Sequence, residues 1–156
     1  MNPSVDRIVP KPLRAAPADG SFVISPATAV EPDIASGDCA QRLVDLLAPA
    51  LGVKLAVTSS SGATNCIRIR VDPDLARLTD EGYRVDVSPQ LVTISAPTAA
   101  GVFWGVQTLR QLLPTQSFST SRVDGVAWEI PCCTIEDRPR FRWRGLMLDC
   151  ARHFMP

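Results

Sequence analysis

In the stretch GYRVDVSPQLVTISAPTAAGVFWGVQTLRQLLP, residues 82–114, the hydrophobic period changes once. Tyr83, Val85 and Val87 alternate with Arg84 and Asp86, and after Ser88-Pro89-Gln90 the apolar face resumes with Val92 and Ile94. Period-two alternation on both sides of a short proline-containing turn reads as an antiparallel hairpin with one wet face. Beyond Thr98 the spacing lengthens. Val102, Val106, Leu109 and Leu113 recur every three or four residues, so a helix is predicted with Thr98 as N-cap and Pro114 as stop. Gly101 and Gly105 share one side of that helix. Each costs about 1 kcal/mol relative to alanine, which points to a close approach by a sheet or second helix.

Upstream, the signals are weaker but of the same kinds. Residues 1–20 carry several prolines and little periodicity, as an extended lead-in does, and residues 21–25 (SFVIS) suit a short strand. Ala40, Leu43, Val44, Leu47 and Leu51 form a second helical stripe, capped by Ser36 or Asp38 and stopped by Gly52, with Pro49 expected to shorten its last turn. VKLAV (53–57) and CIRIRV (66–71) alternate as strands. AWEIPCCTIED (127–137) reads as another strand, interrupted by Pro131. The expected fold class is α+β, a mostly antiparallel sheet with two helices packed on one face.

Composition narrows the function classes. The chain has 156 residues, enough for one well-buried domain, and 46% are hydrophobic against 21% charged. Sixteen basic and sixteen acidic side chains cancel, so no net field draws nucleic acid or an anionic membrane surface. No run reaches the roughly 18 apolar residues of a membrane span. MNPSVDRIVP has neither the basic nor the apolar region of a secretory signal, which suits a cytoplasmic location if that N-terminus is native. The five cysteines lack CxxC spacing and His153 is the single histidine, so neither a metal site nor a cofactor is expected. Buried free thiols are the expected state.

The end of the chain differs in kind. RPRFRWRG sets Arg138, Arg140, Arg142 and Arg144 at alternate positions with Phe141 and Trp143 between the last three. Arginine interleaved with aromatics is one way to hold single-stranded nucleic acid. Here the run is short and has no second basic patch, so a linker with a solvated basic face is the better reading. GLMLD (145–149) is a continuous apolar run, the form of a parallel strand covered on both faces. A domain of residues 1–137 is therefore expected, followed at 138–156 by a linker and the opening strand of a second, parallel unit.

These residues carry a family resemblance. RPRFRWRGLMLDCARHFMP resembles the entry into the catalytic (β/α)8 barrel of glycoside hydrolase family 20, the β-N-acetylhexosaminidases. TAAGVFWGVQTLRQLL and GYRVDVSPQLVTISA resemble the last helix and the preceding hairpin of the small domain before that barrel. The helix pattern is shared with N-terminal domains of O-GlcNAcase-like enzymes and α-glucuronidases, whereas WRGLMLD followed by RHF is narrower. Cys150 stands where family members often carry valine.

The resemblance implies a retaining, substrate-assisted hydrolysis of terminal β-linked N-acetylglucosamine or N-acetylgalactosamine. In that chemistry the substrate's own acetamido oxygen is the nucleophile, and an Asp-Glu pair orients it and serves as general acid and base. That pair is expected beyond residue 156, so this chain alone is expected to be inactive, a scaffold for the barrel that is its partner. Asp80-Glu81 is the one such adjacency here, and nothing around it matches the catalytic motif. Arg144 is the residue to which the resemblance gives a substrate role, as a planar fork holding two sugar hydroxyls. The alternative is that it pairs with a carboxylate. Asp149 and His153 read as structural. Dimerisation through the exposed C-terminal segment is a further expectation, and a stand-alone carbohydrate-binding module is the reading from another function class.

Overall fold

The computed structural model describes residues 5–59 and 64–147. Its seven strands are β1 (Arg14–Val23), β2 (Ala29–Pro32), β3 (Ala56–Val57), β4 (Cys66–Val71), β5 (Tyr83–Val87), β6 (Leu91–Ala96) and β7 (Glu129–Asp137). The helices are α1 (Gly37–Leu51) and α2 (Ala99–Leu112), with short 3-10 turns between elements. The strands form one sheet in the order β1-β7-β5-β6-β4-β2-β3.

The hairpin and helix of residues 82–114 form as their periodicity requires. β5 and β6 pair antiparallel with Val85 opposite Ile94 and Val87 opposite Val92. The Ser88 amide and hydroxyl both donate to the Leu91 carbonyl across the turn, at 2.9 and 3.0 Å. Thr98 caps α2, its hydroxyl oxygen accepting from the amides of Ala100 and Gly101. A Cβ at Gly105 would lie 2.6 Å from Ile94 Cγ2, and one at Gly101 would press into the Gly82 carbonyl. Both glycines therefore serve close approach of helix to sheet.

The α+β class and the two helices on one face are as read from the sequence, but the sheet is mixed rather than mostly antiparallel. β1-β7, β7-β5 and β5-β6 are antiparallel, whereas β6-β4, β4-β2 and β2-β3 are parallel. The parallel half exists because β2 feeds α1, whose crossover returns the chain in the same direction. AVEP, the sequence of β2, is too short and too mixed to have declared itself as a strand.

Local expectations need four adjustments. Residues 14–20 are no lead-in but the first part of β1, all exposed along the sheet edge. β3 is confined to Ala56–Val57 instead of spanning residues 53–57. Pro49 does not shorten α1, which continues to Leu51; it is exposed, and only the hydrogen bond of its missing amide is forfeited. Pro131 does not interrupt β7. It lies opposite Ser21 beside the register shift that separates Pro17 from Ser21 in β1, where an absent N–H is tolerated.

One hydrophobic cluster joins the helices to the sheet. Ala40, Leu43, Val44 and Leu47 from α1 and Val102, Val106 and Leu109 from α2 pack on Val30, Ile67, Ile69, Val85, Val92, Ile94 and Ile135, all fully buried or within 1% of it. Gly52 ends α1 at φ +68, donating its amide to the Ala48 carbonyl. Asp33 ties the start of α1 to the sheet, accepting from the Ser36 amide at 2.8 Å and the Val71 amide at 2.7 Å.

The opposite sheet face is a polar lattice. The Arg84 fork holds Asp86, Thr134 donates to the same carboxylate, and Arg77 and Arg84 meet on Glu136. Beyond β7, residues 138–147 carry no helix or strand, and Phe141, Trp143, Leu146 and Met147 are exposed. Of the strand expected at 145–149, residues 145–147 are not in a strand and 148–149, Asp149 included, lie outside the described residues, as do Cys150 and His153.

Candidate functional site

Arg144 does not point freely into solvent. Its Nη2 donates to Glu81 Oε1 at 2.6 Å and its Nη1 donates to the Phe141 carbonyl at 2.8 Å. The second bond folds residues 141–144 back on themselves. Trp104 Nε1 donates to the same Glu81 oxygen at 3.2 Å. The guanidinium holds the Glu81 carboxyl below the usual carboxylate range, with the indole N–H adding to the effect.

Glu81 is held by its surroundings. The Thr98 hydroxyl that caps α2 also donates to the Asp80 carbonyl, and the Gly82 amide donates to the Thr79 carbonyl. Gly82 has no room for a side chain against the Leu78 carbonyl, and Gly101 lies directly on the Gly82 backbone. The turn carrying Asp80 and Glu81 is thus bolted to the first turn of α2. Trp104, one turn later, stacks edge-to-face on Phe103 at 5.1 Å, and Arg42 of α1 lies over the Phe103 ring.

Other chemistry-bearing groups lie elsewhere. Cys66, Cys132 and Cys133 are buried free thiols and Cys39 is half-buried. Burial pushes all four upward, Cys133 to about 12, which removes thiolate character at neutral pH. Among the described residues no three His, Cys, Asp or Glu side chains converge as a metal would require, and no helix is long and apolar enough to cross a membrane. A cavity of about 430 Å³ near the ends of β2 and β4 is lined by Glu31, Asp33, Arg68, Arg70 and Asp72. Its charges are largely spent internally: the Arg68 fork holds Glu31, and Asp33 and Asp72 accept backbone amides.

Residues 6–138 match the family model described as glycosyl hydrolase family 20, domain 2. The chain belongs to glycoside hydrolase family 20. A β-N-acetylhexosaminidase of Cellulomonas fimi is 37% identical over 151 residues, which cover 94% of this chain and 29% of the relative. The family 20 β-N-acetylhexosaminidase of Streptomyces coelicolor A3(2) superposes with a TM-score of 0.84 at 41% identity, over 97% of this chain and 30% of that one. A mutant Streptomyces plicatus β-hexosaminidase in complex with its product GlcNAc gives 0.83 at 42% identity, again over 97% and 30%. The chain thus spans about a third or less of the family 20 proteins it resembles, and corresponds to their noncatalytic domain 2.

The sequence reading singled out Arg144, which follows the matched stretch, but not its partners. Glu81 and Trp104 lie 63 and 40 positions upstream, and no local pattern links them to the C-terminal run. Glu81 drew notice only for its adjacency to Asp80. The usable signal was indirect: a glutamate just before the hairpin and a tryptophan one turn into the helix flank the point where the chain leaves the sheet.

Proposed function

We propose that this chain is the scaffold domain of a β-N-acetylhexosaminidase. The whole enzyme would remove terminal β-linked N-acetylglucosamine or N-acetylgalactosamine with retention, through substrate-assisted chemistry. The observation that carries this reading is the match to family 20 domain 2 over residues 6–138 in a chain covering only 29–30% of its relatives. The names of those relatives support the substrate class, and the GlcNAc complex of the Streptomyces plicatus protein supports the amino-sugar product.

The role of the domain follows from its shape. α1 and α2 cover one face of the sheet, and their outer sides offer Phe103, Trp104 and Arg42 to a further surface. A catalytic barrel following residue 156 is the partner proposed for it, with residues 138–156 as the connection and first strand. No catalytic step is assigned to any residue here. Arg144 is proposed as a substrate contact of the whole enzyme; its ion pair with Glu81 and its bond to the Phe141 carbonyl engage two of the five guanidinium N–H donors and leave three.

The test is hydrolysis of a chromogenic β-N-acetylglucosaminide by the 156-residue chain and by a version extended with whatever the gene encodes after Pro156. Turnover in the extended protein alone is the expected result. Turnover in the short chain would place the chemistry within residues 1–156, and turnover in neither would favour a carbohydrate-binding module.

A further inference from the structure

We propose that the cavity at the ends of β2 and β4 is a saccharide-binding site, in which Glu31 and Arg70 take two adjacent hydroxyls of one sugar ring. The site goes beyond the scaffold reading and does not depend on it. Only the choice of an amino-sugar probe leans on that reading.

The parallel pairing of β2 and β4 sets Glu31 directly opposite Arg68, and the strand period returns Arg70 to the face that carries Arg68. That face looks away from the helices, because Val30, Ile67 and Ile69, one position off, lie in the core. The cavity measures about 430 Å³, inside the range of roughly 300–1,000 Å³ that small-molecule sites occupy. Most of its polar groups are satisfied. Arg68 Nε and Nη2 both donate to Glu31 Oε2, at 3.1 and 3.0 Å, and the Asp33 carboxylate accepts two backbone amides. Two groups are left over. Glu31 is only 6% exposed, yet its Oε1 has no hydrogen-bond donor. Arg70 is exposed and, among the described residues, makes no hydrogen bond or ion pair. A buried acceptor left without a donor is destabilising, so the site is short of a donor at one point and of an acceptor at the other.

Those two deficits select the ligand. A metal ion does not fit, because among the described residues no three acidic side chains converge on one point and two guanidiniums line the same walls. A small anion does not fit either, since Glu31, Asp33 and Asp72 outnumber Arg68 and Arg70 there. A sugar diol supplies what is missing. One hydroxyl donates to the Glu31 carboxylate while its neighbour accepts from the Arg70 guanidinium, and every hydroxyl can do either. The lining holds no aromatic ring for stacking, so affinity in the millimolar range is expected.

The test is a proton–nitrogen NMR titration of the 156-residue chain with N,N′-diacetylchitobiose, and separately with cellobiose and with sodium sulfate. Saturable shifts at the amides of Glu31, Asp33 and residues 68–72 are the expected result with a disaccharide. Arg70→Ala, at an exposed position, should keep the far-ultraviolet spectrum and weaken binding by about tenfold or more, as loss of one charge-assisted bond does. Glu31→Gln, which keeps the shape and removes the charge, should weaken it similarly; if that variant unfolds, Arg70→Ala decides. No saturable shift with either disaccharide overturns the proposal, as do shifts that map to other residues or that survive Arg70→Ala unchanged. Sulfate moving the same amides at lower concentration overturns it in favour of an anion site. Binding of cellobiose without diacetylchitobiose upholds the saccharide site and tells against the amino-sugar reading alone.

Discussion

Two glycines and one glutamate make the sharpest residue-scale tests. Gly101→Ala forces a methyl into the Gly82 backbone, whereas Gly105→Ala meets side-chain atoms, the Ile94 Cγ2 methyl and the Tyr83 ring. Overpacking costs about 1–3 kcal/mol, against about 1 kcal/mol regained in helix propensity. Urea unfolding should therefore show a clear loss for Gly101→Ala and a smaller one for Gly105→Ala. Glu136 is nearly buried, and the Arg77 guanidinium holds its carboxyl below the ordinary glutamate range. A lowered folded-state value means stability present above the unfolded pKa, about 4.3, and lost as pH falls through the folded value. Arg77→Ala should reduce that stability at neutral pH and flatten its fall below about pH 4, followed by circular dichroism between neutral and acidic buffer.

Elements differ in how openly the sequence declares them. The α2 stripe is legible because Val102, Val106 and Leu109 all face one core. β5 and β6 are legible because one sheet face is apolar and the other polar, as Tyr83 and Arg84 illustrate. β2 was not legible, since four residues ending in proline carry no period and their pairing is set by the α1 crossover. The first half of β1 was missed for a related reason: all seven of residues 14–20 are exposed, so no burial pattern is written into them. Arg144 was legible only through family resemblance, and its contact with Glu81 not at all, because an ion pair across 63 positions leaves no local trace. Caps carry the prediction at this scale. Thr98→Ala removes the α2 cap and the tie to Asp80 together, and should cost about 1–2 kcal/mol in chemical unfolding, with Thr98→Ser recovering most of it.

At the scale of the whole molecule the surface is uneven. Phe141, Trp143, Leu146 and Met147 are each more than 70% exposed and follow one another closely after the last strand. Isolated exposed apolar groups need no explanation, but a run of this kind invites cover. Sedimentation velocity should show concentration-dependent self-association of the 156-residue chain, lost when residues 138–156 are removed while the far-ultraviolet spectrum of the domain is kept. A monomer at every concentration would count against dimerisation through this segment.

The pairing of β1 with β7 sets an order of events during synthesis. Ser21 and Glu129 are hydrogen-bonded 108 positions apart, and among the described residues β1 has no other strand beside it. On a ribosome β1 must wait, unpaired, while nearly everything between is made. Its partner β7 is the last described strand in chain order, so this seam of the sheet is the last to close. Folding of this domain is thereby timed to finish only once its last described strand has been made.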